Sequence, residues 1–280
     1  MQSFKEKLAI DELKVVVRRD PVHYYTADFL KMIPFIDEVV AHPIGLNYMP
    51  LYNEEFPAAM IKGVEGCDYM VDPGALMWLK GMPLEEILPD YDTNFHYPID
   101  FSRGARRVAA RIKKNNKGKL VIFFASSVMS NNDWNKGAWL AEDWVALAKR
   151  IFKHTGVRPI LIGAEWDKTY AELIREIDTE NVIQYRVDEM GIEQTLSLIK
   201  EANLVVAFPC GIPIMATYFG VPTVMFWPLR GISRKERFDP AFQFTWVPPE
   251  SRNNGRYIPA AYDAPDTNPT EIFNRTRGFL

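Results

Sequence analysis

The segment AFPCGIPIMATYFGVPTVMFWP, residues 207–228, holds the residues best suited to chemistry. An apolar strand runs to Phe208, a tight turn follows, and a helix starts near Gly211. The first N–H groups of a helix have no partner inside it and its dipole is positive there, so this junction suits a phosphate. Gly211 has no side chain to keep the backbone away from such an anion. The same residues also fit a plain strand-turn-helix junction in which Gly211 serves geometry alone. Charge marks a second region: Arg103, Arg106, Arg107, Arg111, Lys113, Lys114, Lys117 and Lys119 crowd residues 102–119, with Val108 and Ile112 as a thin apolar stripe. That pattern reads as a solvated linker helix, or as a surface for an anionic acceptor.

The elements that must position these residues follow from periodicity. Apolar runs at Leu120–Ala125, Pro159–Gly163, Asn181–Tyr185, Leu204–Phe208 and Thr223–Phe226 read as strands. Between them, helical spacing recurs in Leu140, Trp144, Leu147, Ala148 and Ile151, in Tyr170, Leu173, Ile174 and Ile177, and in Ile192, Leu196 and Ile199. Strands apolar throughout and joined by crossover helices predict an α/β, Rossmann-like domain with a parallel sheet covered on both faces. Such sheets bind ligands at the carboxyl ends of their strands. The first hundred residues repeat the pattern more raggedly, with strands at Leu13–Arg18, Ile36–Ala41 and Tyr69–Asp72 and a helix over Tyr24–Met32. The expected organisation is an N-terminal α/β domain over 1–101, a linker helix over 102–118, a Rossmann-like domain over 119–240, and an extension over 241–280, of little periodicity, packing back on the rest.

Composition narrows the function classes. The 280 residues are 48% hydrophobic and 25% charged with a formal net charge of -3, so no global charge draws the chain to nucleic acid or an anionic membrane. Cys67 and Cys210 lie far apart without metal-ligand spacing, and His23, His42, His96 and His154 form no HxxxH or HxH pattern, so no protein-held zinc is expected. No apolar stretch approaches the roughly 20 residues that span a bilayer, and the N-terminus lacks a signal-peptide core, so the expected setting is cytoplasmic.

Residues 207–228 resemble the donor-site motif of the heptosyltransferase-like glycosyltransferases (family 9, GT-B fold), approximately D-S-G-P-x-H-L-A-A-A-L-G-x-P-T-V-x-x-F-G-P. Gly211, Met215, Ala216, Gly220, Pro222, Thr223, Val224 and Pro228 match it, while Pro209 stands for its Asp, Cys210 for its Ser or Thr, and Ile214 for its His. The run NNDWNKGAWLAEDW is similar to the family's K-x-W-P-x-E-x-F/Y loop, PILIGAEWD to V-L-L-G-G-x-x-D, and PFIDEV to P-x-I-D-E-V. The resemblance implies two Rossmann-like domains facing a cleft, the N-terminal one truncated, since the family's first strand and glycine-rich turn have no counterpart. It places the donor against Ser126, Ser127, Lys136, Gly163, Glu165, Met190 and the backbone amides of Cys210, Gly211 and Ile212. Lys136 would neutralise donor phosphate, Trp139 and Glu142 would set up the following helix, Glu165 would accept a ribose hydroxyl, and Met190 would pack on the base.

The expected function is therefore metal-independent transfer of a sugar from a nucleoside diphosphate donor to an acceptor hydroxyl, with no further cofactor. The family's proposed base lies on the missing turn, so the candidates for deprotonating the acceptor are Asp72 in VDPG and Asp20 with His23 in RRDPVH, each also readable as a turn or cap residue. Arg230, Arg234 and Lys235 are candidate acceptor contacts. Lipopolysaccharide core sugars are the acceptor the resemblance implies, and nucleic acid is the alternative the basic clusters suggest. Two other readings stand beside transfer: a non-catalytic nucleotide-sugar-binding homologue or partner subunit, suggested by the replaced polar residues, and a sugar-nucleotide 2-epimerase.

Overall fold

The computed structural model describes residues 5, 9–18, 24–42, 99–125, 139–227, 247–261 and 267–280. The chain divides into two compact units, Met1–Thr93 with Tyr97–Asp100, and Asn94–His96 with Phe101–Leu280. In the first, β1 (Lys14–Arg18) and β2 (Glu38–His42) pair in parallel, with α1 (Tyr24–Leu30) between them in sequence. Asp37 fixes the entry to β2: its carboxylate accepts the Leu13 N–H at 2.7 Å and pairs with Lys5. The Leu13 N–H and the Lys5 ammonium hold its pKa below the usual carboxylate value. The expected strand over Tyr69–Asp72 lies outside the described residues.

The larger unit begins with α2 (Arg103–Asn115), capped by Ser102, whose hydroxyl accepts the Ala105 N–H. Then follow β3 (Val121–Phe124), α3 (Ala141–Thr155), β4 (Ile160–Gly163), α4 (Lys168–Ile177), β5 (Gln184–Val187), α5 (Ile192–Lys200), β6 (Leu204–Ala207), α6 (Gly211–Tyr218), β7 (Thr223–Trp227), α7 (Pro249–Asn253), β8 (Tyr257–Ala261) and α8 (Pro269–Thr276). All six strands are parallel in the order β5-β4-β3-β6-β7-β8. Alternate side chains serve the two faces. Val121, Phe123, Leu161, Val206, Phe208, Val224 and Phe226 join Trp144, Leu147 and Ile151 of α3 and Ile174 of α4 in one core layer. Trp139, 1% exposed, anchors the start of α3 there, its ring 4.4 Å from that of Phe226. On the other side Met225, Trp227, Val247 and Tyr257 form a smaller cluster.

Four sequence expectations shift. The third strand of the unit lies at Gln184–Val187 because Asp178 accepts the N–H groups of Val182 and Ile183, both at 2.9 Å, and holds that buried pair as a clamp before β5. The final segment is more regular than its composition suggests: it supplies β8, the sixth strand of the sheet, and α8, which packs on α3. Leu140 and Leu173, counted in the apolar stripes, are 47% and 46% exposed; Leu140 is the N-cap of α3 rather than part of its buried face. The basic helix α2 belongs to the larger unit and packs along α5, tied by Ser102 to Glu193 and by Lys113 to Glu201 at 2.9 Å.

Candidate functional site

Chain order and strand order together locate the site. From β3 the chain steps outward to β4 and β5, then returns to β6 on the other side of β3 and continues to β7 and β8. The loops leaving β3 and β6 therefore part in opposite directions from adjacent strands, paired as far as Phe124 and Ala207. In an open parallel sheet that divergence leaves a crevice outside the strand carboxyl ends, where nucleotides bind.

Helix α6 opens onto this crevice. Its N-cap, Cys210, is extended. Pro213 has no N–H and Ile214 bonds back to the Cys210 carbonyl, whereas the N–H groups of Cys210 and Gly211 donate to no described residue and that of Ile212 is directed at the Cys210 thiol. Two donors at a positive helix end are left without a described acceptor. Gly211 is exposed, lies outside the left-handed region, and a Cβ built on it meets no described atom within 4 Å. Neither backbone geometry nor packing among the described residues requires a glycine there.

The loop after β4 reaches toward the same place. Asp167 is buried and accepts the Ala164 N–H at 2.8 Å. Burial pushes the Cys210 thiol up to about 12; the Ile212 N–H opposes this and the Asp167 carboxylate adds to it. Gly163 has a packing reason: a Cβ would sit 2.9 Å from both Cβ and Oδ2 of Asp167. Glu165 is exposed on the rim. Beside it Lys168 pairs with Asp188 at 2.6 Å, and that hydrogen bond raises the Lys168 pKa. Asp188 adopts φ 59°, with its N–H on the Gly163 carbonyl at 2.8 Å, locking the end of β5 to the end of β4.

Of the residues expected from sequence, the structure gathers Gly163, Glu165, Cys210, Gly211 and Ile212 on one rim. Met190 stands apart, beyond β5, lining a cavity with α2. Two interstrand steps separate β4 from β6 and three separate β5 from β6, about 10 and 14 Å. Ser126, Ser127, Lys136, Asp20, His23, Asp72, Arg230, Arg234 and Lys235 lie outside the described residues. Asp167, Lys168 and Asp188 went unnamed in the sequence reading. Asp167 had a signal, since it is the Asp that closes the GAEWD match; Asp188 lies in the Arg186–Met190 loop that the resemblance also covers, and Lys168, the first residue of α4, carried none.

The fold is α/β and GT-B-like, with the rim at the carboxyl ends of its parallel strands. The chain is similar in structure to the ADP-heptose LPS heptosyltransferase II of E. coli, at 13% identity and a TM-score of 0.61, with 99% of this chain and 92% of that one covered. It is also similar to a family 9 glycosyl transferase of Veillonella parvula DSM 2008 (13% identity, TM-score 0.58, 100% and 84% covered). A UDP-GlcNAc 2-epimerase of Methanocaldococcus jannaschii, solved with UDP-GlcNAc and UDP, matches at 16% identity and a TM-score of 0.50, with 100% and 72% covered. No protein-family model and no curated protein matches the sequence. The likeness establishes the fold, and it agrees with the family resemblance carried by residues 207–228.

Proposed function

We propose that the chain is a metal-independent glycosyltransferase whose nucleoside diphosphate sugar lies across the carboxyl ends of β4, β3 and β6. The observation that carries this reading is the start of α6, where the Cys210 and Gly211 N–H groups without a described acceptor and an otherwise unexplained Gly211 leave open room for a diphosphate. Glu165, on the strand next to β3, takes the ribose, in the manner of the acidic residue that reads ribose hydroxyls in dinucleotide folds. The span from β4 to β6 suits a nucleoside placed on one side and its diphosphate on the other. Breaking the anomeric bond leaves negative charge on the nucleoside diphosphate, and the α6 N–H groups, the helix dipole and Lys136 stabilise it. The acceptor hydroxyl gives its proton to Asp72, or to Asp20 with His23. Arg230, Arg234 and Lys235 hold an anionic acceptor, the lipopolysaccharide-core type by resemblance or nucleic acid as the second choice.

A non-catalytic nucleotide-sugar-binding role is the second reading. One observation favours it: Ile214, where the family has His, packs against the Met225, Trp227, Val247 and Tyr257 cluster and offers the donor no polar group. A donor-turnover assay with and without acceptors separates the two. Release of nucleoside diphosphate, faster with one acceptor, supports transfer; tight donor binding without turnover on any acceptor would remove it and leave the binding role.

A further inference from the structure

The larger unit has a second concave site that the donor reading does not use. Between α2 and the outer strand β5 lies a cavity of about 330 Å³, at the lower end of the range for small-ligand pockets. Arg111 and Asn115 border it from α2, Gln184 and Arg186 from β5, and Gln194 from α5. Val108, Ile112 and Met190 add apolar surface, and the Glu189 carboxylate, paired with Arg186, also borders it. It follows the whole length of β5, from Gln184, the first residue of the strand, to Met190 beyond the last, and so lies alongside the sheet under α2.

Three observations point to an anionic occupant. Arg111 and the side-chain amides of Asn115, Gln184 and Gln194 make no hydrogen bond or ion pair with any described residue, so one cavity collects four groups with unused capacity. Arg186 is bonded to Glu189 at 2.6 Å, but with side chains 45% and 47% exposed that pair is weak and easily exchanged for another anion. Finally, α2 carries six cations and no acid in 13 residues. Arg103, Arg107 and Arg111 repeat at i,i+4, a like-charge spacing that destabilises a helix, and Arg103 and Arg106 oppose the dipole in its first turn. In a chain of net charge -3, that local excess is relieved when an anion binds beside it.

We propose that this groove binds a small phosphate-bearing ligand of mononucleotide size. The phosphate lies between the guanidinium groups of Arg111 and Arg186, the three amides meet the polar edges of the remainder, and Ile112 and Met190 pack on its apolar face. The proposal stands independently of the donor site at α6.

The test is calorimetric titration of the full chain with 5′-AMP, inorganic phosphate and a short oligothymidylate. In a Gly211→Trp background, where the donor site is blocked, AMP is expected to bind, phosphate to compete weakly, and Arg111→Ala, Arg111→Gln and Arg186→Ala each to lower that AMP affinity at least about tenfold. Arg111 is exposed, so its variants retain the fold, which circular dichroism checks. Absence of AMP binding would overturn the proposal. So would AMP binding lost in Gly211→Trp and kept in Arg111→Ala, which puts the ligand in the donor site. Oligothymidylate binding sensitive to Arg111 without AMP binding would also overturn it, since α2 would then serve a polymer.

Discussion

Replacing Gly211 by alanine separates the two uses a glycine can have at the start of α6. The residue lies outside the left-handed region and its added Cβ meets no described atom within 4 Å, so the folded chain accommodates the methyl. Alanine also reduces the freedom of the unfolded chain, which stabilises a compatible site by about 0.4–1 kcal/mol. At about 2–4 °C per kcal/mol for a unit of this size, the thermal midpoint should rise by roughly 1–4 °C. Donor binding should move the other way. The methyl projects into the space a phosphate needs to reach the Cys210 and Gly211 N–H groups. Losing one hydrogen bond to a charged group costs about 1.5–3 kcal/mol, which is roughly 10- to 150-fold in affinity. Scanning calorimetry and titration with the nucleoside diphosphate sugar that the wild type binds give both numbers on one preparation. A higher midpoint with weaker binding is the expected signature. A lower midpoint would show that the glycine serves the fold, and unchanged binding would show that no phosphate rests on this helix.

Further expectations concern the frame around the site. Gly163→Ala drives a methyl to 2.9 Å from Asp167 and should cost about 1–3 kcal/mol in urea unfolding; an unchanged midpoint would mean that Asp167 moves aside freely. Tyr257→Phe removes the hydrogen bond in which the buried Trp227 Nε1 donates to the Tyr257 hydroxyl at 2.7 Å, and should cost about 0.5–1.5 kcal/mol, whereas a neutral result would deny the bond any net role. Because burial pushes the Cys210 thiol up to about 12, the folded chain keeps that proton where an unfolded cysteine, near pKa 8.5, has lost it. The sign is therefore a stability contribution that falls as pH rises above about 8.5 toward the folded value. In a Cys67→Ser background, iodoacetamide should modify Cys210 at least about tenfold more slowly than free cysteine near pH 9, and equal rates would contradict the raised thiol pKa.

The fold was legible in this sequence where burial dictates residue type on both sides of the sheet. Runs such as LVIFFA and LVVAF have no other stable use, and β3 and β6 fall within them. Apart from Gly211, the matched motif positions are framing residues where described: Met215 and Ala216 are buried, Gly220 closes α6 at φ 69°, and Thr223 and Val224 begin β7. The unmatched ones face the crevice or fill the core, as Cys210 and Ile214 do, so the motif reports architecture more faithfully than chemistry. Strand β8 escaped because YIPAA contains a proline. The bond from the Thr223 N–H to the Arg256 carbonyl turns the even-numbered residues of β8 toward β7 and leaves Pro259 facing away from it, where a missing N–H costs little. Asp178 shows the converse: Val182 and Ile183 look like strand, but a side-chain clamp takes their N–H groups. Met190 was assigned to the donor base, yet its cavity is built by α2, a contact between distant segments that local periodicity does not carry.

The central claim is that a nucleoside diphosphate sugar binds across the carboxyl ends of β4, β3 and β6 with its diphosphate on α6. Calorimetric titration of the full chain with a panel of ADP-, UDP-, GDP- and dTDP-sugars tests it directly. The account predicts saturable binding of one base and sugar combination that disappears in Gly211→Trp while that variant keeps its fold. No binding at millimolar donor, or binding indifferent to Gly211→Trp, would contradict it.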